Sequence, residues 1–189
     1  MNRTDETIKK VPVKTAKNVA YIGLFTALLV VCSFVTVPTA IPFTLQTLAL
    51  FLALGVLGGK RGTLTIVCYI FLGIIGLPVF SGFRGGIGVI FGTTGGYIVG
   101  FIFTGLLYWG IEKLFGKSYL VTVISMLLGA AVYFAFGTAW FMVVYLKNTG
   151  PIGLGSVLTT CVVPFIIPDL IKISLASIVS YKLKDKIKD

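Results

Sequence analysis

Asp169 and Lys172 are the residues in this sequence best placed to do chemistry, because they sit in the otherwise apolar stretch Pro164–Tyr181. Separated by three positions, they share one face of a helix and can pair. A charge in the middle of a bilayer costs about 2.5–3.5 kcal/mol on insertion scales, so such residues usually serve a function. Two readings stay open: a helix cap with a structural ion pair, or a polar pair lining a ligand cavity. Entry through Pro164 and Pro168 puts the regular helix start near Pro168 and Asp169 in its first turn. Thr44 and Gln46 follow Pro38 and Pro42 at the start of another apolar run. They form either a polar helix start or hydrogen-bonding groups presented to a cavity.

A third cluster is made of glycine. Seven glycines fall between positions 82 and 96, around Arg84, Gly85 and Gly86, too many for a regular helix. Irregular backbone cannot face lipid, because its N–H and C=O groups would go unsatisfied. The stretch must therefore pack on protein or cap a polar cavity, where glycine permits close approach of backbone to a ligand. Arg84 could meet an anionic ligand group or snorkel to headgroups. The stretch is no nucleotide cradle: Phe91 stands where Gly86-Ile87-Gly88 would need its third glycine. Gly59-Lys60 fails as a phosphate-binding loop, since Leu54 replaces its first glycine and Arg61 its hydroxyl residue.

The elements that must position these groups are membrane helices. The hydrophobic residues alone make up 57% of the 189-residue chain, to which 23 glycines are added, and only 12% is charged. Soluble domains average about 45–50% apolar with glycine included and about 25% charged. Mean hydropathy is +1.02. Six apolar segments of spanning character lie at 18–37, 43–59, 62–77, 94–111, 119–146 and 164–183, the second and third forming a tight helical hairpin. Residues 152–163 read as a short helix or re-entrant piece. The expected fold is all-α, one transmembrane domain over 1–189 with a basic tail at 1–17.

Of the 16 Lys and Arg residues, all but Arg84, Lys147 and Lys172 fall on one side of that arrangement. Positive-inside then puts both termini in the cytoplasm and the glycine-rich loop, between the third and fourth helices, outside. The net charge of +10 reflects topology and not nucleic-acid binding. Histidine is absent, which removes His-based triads and the commonest zinc ligand. Cys32, Cys68 and Cys161 read as small buried hydrophobes. No catalytic or metal site is expected.

Four motifs in order resemble the BioY family of biotin-specific S components of energy-coupling factor (ECF) transporters. They are Ile41-Pro42-Phe43-Thr44-Leu45-Gln46-Thr47, the run from Gly73 to Gly82, the run from Gly92 to Phe101, and Pro168-Asp169-Leu170-Ile171-Lys172. Thr93 departs from the proline common in the family. The resemblance implies a six-helix bundle in the cell membrane with an outward-facing biotin pocket and no cofactor. It also implies a transmembrane coupling subunit and an ABC-type ATPase pair that uses the ATP. The small residues Ala16, Ala20, Gly23 and Ala27 would then contact the coupling subunit.

For such a ligand, Asp169 suits the ureido N–H groups, with Lys172 holding it or donating to a ligand oxygen, and Gln46 offers donor and acceptor. Tyr97 and Phe43 can cover the apolar ring, and Arg84 or the N–H groups of Gly85 and Gly86 can meet the valerate carboxylate. Rival readings are an S component for thiamin or riboflavin, a secondary transporter with Asp169 as proton site, an intramembrane enzyme, or a scaffold.

Overall fold

The computed structural model describes residues 13–37 and 41–183. The basic residues Arg3, Lys9, Lys10, Lys184, Lys186 and Lys188 lie outside this described part. Helix α1 covers Val13–Phe34, so the expected tail gives way to helix five residues before its assigned end. Asn18 explains part of this: its Oδ1 accepts from an Arg61 terminal nitrogen at 2.8 Å, which ties the start of α1 into the bundle.

After α1 the chain forms a two-strand antiparallel ribbon, β1 (Thr36–Val37) with β2 (Phe43–Thr44), pairing Thr36 with Thr44 and Val37 with Phe43. Helices α2 (Gln46–Leu57) and α3 (Gly59–Ile74) follow as a hairpin. Gly58 turns it with φ +82, a conformation that side chains with a Cβ disfavour. At Gly62 an added Cβ would come within 2.7 Å of Leu54 Cα, so the absence of a side chain lets the two helices close.

The glycine-rich stretch contains a short helix, α4 (Ile87–Phe91), bounded by Gly86 and Gly92. Then come α5 (Gly95–Phe115), the long α6 (Tyr119–Asn148), α7 (Leu154–Cys161) and α8 (Val163–Leu183). The short helix expected within 152–163 is α7. The expected start near Pro168 is corrected: α8 begins at Val163 and carries Pro168 inside it. Pro164 occupies the first turn, where a missing N–H costs nothing, and the helix runs through the second proline. Asp169 is therefore a second-turn residue.

Among the described residues, four stretches are long and apolar enough to cross a membrane: Thr15–Phe34, Gly95–Phe115, Tyr119–Asn148 and Leu154–Leu183, the last broken at Val162 between α7 and α8. Large apolar side chains such as Val19, Leu24, Leu114, Ile167 and Ile171 stand exposed on the outside, as a lipid-facing surface requires. At the centre lies α2, packed against α1, α3 and α8. Ala49, Leu50, Phe51, Ala53 and Leu54 along it are fully buried. Twelve residues rise only about 18 Å, well short of a hydrocarbon core of about 30 Å. The central helix thus begins below one end of the bundle, leaving room above its first turn.

Candidate functional site

That room is a cavity with an empty volume of about 650 Å³, part of it open to solvent. Its floor is the start of α2. The N–H of Gln46 donates to Thr44 Oγ1 at 3.2 Å, so a hydroxyl serves one of the orphan donors of this helix end. Thr44, Gln46 and Thr47 all line the cavity and are buried. On the facing side α8 brings in Asp169 and Lys172, also buried.

The polar groups there are tightly interlinked. Lys172 Nζ donates to Asp169 Oδ1 at 2.8 Å, to Thr47 Oγ1 at 2.9 Å and to the Thr44 carbonyl at 2.8 Å. Thr47 Oγ1 in turn donates to the same Asp169 oxygen at 3.0 Å. Tyr133, from α6, donates to Asp169 Oδ2. An ammonium has three N–H groups, and all three are spent on protein. Asp169 Oδ1 takes two bonds and Oδ2 one, so acceptor capacity remains on Oδ2. These partners hold the carboxylate in place. Beneath the ammonium lies the Phe43 ring, 4.3 Å away, itself stacked near Phe165 at 6.2 Å.

Gln46 differs from its neighbours. Its Nε2 is buried and has no hydrogen-bond partner among the described residues. Two amide donors without acceptors cost about 1–3 kcal/mol if nothing answers them, and this side chain lines the cavity.

Tyr97 stands in the first turn of α5, lines the cavity, and shares a hydrogen bond of 3.3 Å with Thr138 Oγ1. One turn on, Phe101 meets Tyr133 edge to face at 5.6 Å. Arg84 lines the cavity from the glycine-rich segment and is exposed, its Nε–H donating to Ser81 O at 3.1 Å. Phe43, Gly85 and Gly86 do not line the cavity. The Gly86 N–H is bonded to Gly73 O at 2.7 Å and is thereby removed as a ligand donor. Gly85 lies so close to the backbone of Leu77 that a Cβ would come within 2.7 Å of its carbonyl carbon.

Tyr133, Thr47, Ser81, Thr94, Phe101 and Phe165 join the wall without having been singled out by sequence. Thr47 was at hand, next to Gln46 in a polar helix start. Tyr133 carried no signal within an apolar run. Of the cysteines, Cys161 is buried and lines the cavity, Cys32 is half-buried, and Cys68 is exposed, unlike the expected buried hydrophobe. Ala16, Ala20, Gly23 and Ala27 are all exposed on α1, and none of them lines the cavity.

A model of the BioY family matches residues 3–189. The chain belongs to the BioY family. It is 37% identical over 163 residues to the biotin transporter BioY of Thermotoga maritima, covering 86% of this chain and 92% of that one. The probable biotin transporter BioY of Pyrococcus horikoshii is 37% identical over 170 residues, covering 89% and 97%. Among solved structures, the S-component for biotin from an ECF-type ABC transporter superimposes with a TM-score of 0.80 at 27% identity, over 93% of this chain and 94% of that chain. Members of the family are transporter components, so this BioY-family chain is not an enzyme.

Proposed function

We propose that this chain binds biotin in the cavity above α2 and serves as the substrate-specific S component of an ECF-type importer in the cell membrane. The observation that carries the reading is the pairing of a buried, unanswered Gln46 amide with the Asp169 carboxylate in one cavity. A ureido head has a carbonyl for the first and N–H groups for the second. Tyr97, Phe101 and Phe165 supply apolar surface for the rings, and Arg84, an exposed cation in the lining, is the partner assigned to the valerate carboxylate. Lys172 orients Asp169 and gives no donor to the ligand.

Six spans with both termini in the cytoplasm fit this arrangement, with α2 and α3 completing their crossings through adjoining non-helical backbone, in which Ile41, Thr44, Val79 and Phe80 are buried. Lys60, Arg61, Lys113 and Lys117 support the orientation. They gather at one end, where Glu112 accepts from the Gly59 N–H at 2.6 Å and meets Lys117 at 3.4 Å. The segment with Ser81 and Arg84 then faces outward as a cover over the ligand.

ATP hydrolysis belongs to an ABC-type ATPase pair acting through a transmembrane coupling subunit, since the sequence lacks a phosphate-binding loop. The coupling subunit docks on the Ala16, Ala20, Gly23 and Ala27 face of α1. Calorimetric titration of the detergent-purified chain with biotin, thiamin and riboflavin tests the assignment. Saturable binding of biotin alone is expected, and retention of thiamin or riboflavin instead would reject it.

A further inference from the structure

We propose that the cavity selects its ligand by the uncharged head and therefore also takes biotin derivatives whose carboxylate is masked as a neutral amide or ester. This rests on the biotin reading above. The deep wall carries no spare positive charge. Lys172 and Asp169 neutralise each other at 2.8 Å, with both side chains buried, and every N–H of the ammonium already has a protein acceptor. A ligand carboxylate placed there would meet the acceptor-only Asp169 and find no free cation. What the deep wall does offer is neutral amide donors on Gln46 and acceptor capacity on Asp169 Oδ2. That combination suits a urea-like group.

Ligand charge is consequently left for the mouth. The lining residue there able to answer it is Arg84, which is exposed. An ion pair with an exposed partner is screened by solvent, and its contribution amounts to a factor of about five in affinity at most. An amide or ester keeps a carbonyl acceptor for the guanidinium and loses only that charge term. Its added substituent leaves by the same opening.

The test is titration of the full-length purified chain with biotin, biotin carboxamide, biotin methyl ester and biotin methylated on a ureido nitrogen. Amide and ester are expected to bind within tenfold of biotin, and the ureido-methylated compound more than tenfold weaker. Arg84→Ala should lower biotin affinity about fivefold or less and remove the preference for acid over amide. Amide and ester losses beyond tenfold, with biotin still bound, would overturn the inference alone. A folded chain that binds none of the four would remove the biotin reading and this inference together.

Discussion

Lys172 Nζ and Thr47 Oγ1 lie 2.9 Å apart while both bond the same oxygen of Asp169, at 2.8 and 3.0 Å. The triangle joins the first turn of α2 to the second and third turns of α8. It fixes the direction of Asp169 Oδ2 toward Tyr133 and the cavity, so the pair is both a structural clamp and a means of aiming a carboxylate.

Breaking this clamp on one side strands a buried charge. Asp169→Asn should destabilise the protein by about 3–5 kcal/mol, because Lys172 is left without its counter-charge. Adding Lys172→Met should recover most of that loss, since the uncompensated charge is then gone. Neither variant should bind biotin. Thermal unfolding in detergent combined with titration checks this, and wild-type biotin affinity in folded Asp169→Asn would exclude the carboxylate from recognition.

Gln46 should behave in the opposite way. Its Nε2 has no hydrogen-bond partner among the described residues, so Gln46→Leu removes an unsatisfied buried donor and leaves stability unchanged or raises it by about 1 kcal/mol. Biotin affinity should fall by about 1–3 kcal/mol, the value of an acceptor left unpaired in the complex. Binding and melting temperature would thus move apart, a signature that general damage to the fold does not produce. A parallel drop in both would show that Gln46 is structural.

The legibility of this site in sequence followed the cost of burial. Asp169 and Lys172 stood out because charges in an apolar run demand a reason, and Gln46 because an amide at a membrane helix start does. Tyr133 did not, since a tyrosine in α6 reads as core until α6 is set against α8 and its hydroxyl meets Asp169. The start of α8 was misread for a local reason. Two prolines four residues apart suggest a boundary at the second, yet the first already fills the permissive turn. Helix α4 was hidden by the glycines at both its ends, whose composition speaks for irregular backbone.

The glycine-rich segment is predicted to act through its shape. Gly85→Ala would drive a Cβ against the Leu77 carbonyl carbon and Gly76 O, within 2.7 and 2.8 Å, and shift the segment that carries Ser81 and Arg84. Overpacking of this kind costs about 1–3 kcal/mol. On the proposed role of the segment as a cover over the ligand, biotin affinity should fall about tenfold or more with little change in bundle unfolding. Gly88→Ala is the control: nothing lies within 4 Å of its Cβ, and both properties should hold. Equal effects from the two substitutions would reject the packing explanation.

The exposed face of α1 is where the proposed docking of a coupling subunit can be tested apart from ligand capture. A Cβ at Gly23 meets nothing within 4 Å, so even a large side chain fits there without disturbing the bundle. Gly23→Trp and Ala20→Trp should therefore leave unfolding and biotin titration at wild-type values. A coupling subunit docked on Ala16, Ala20, Gly23 and Ala27 needs the close approach that small residues allow, and an indole would hold its helix off. Co-purification with the coupling subunit and ATPase pair should be lost, and biotin uptake in cells with it. Wild-type uptake by Gly23→Trp and Ala20→Trp would move the docking surface to another face of the bundle.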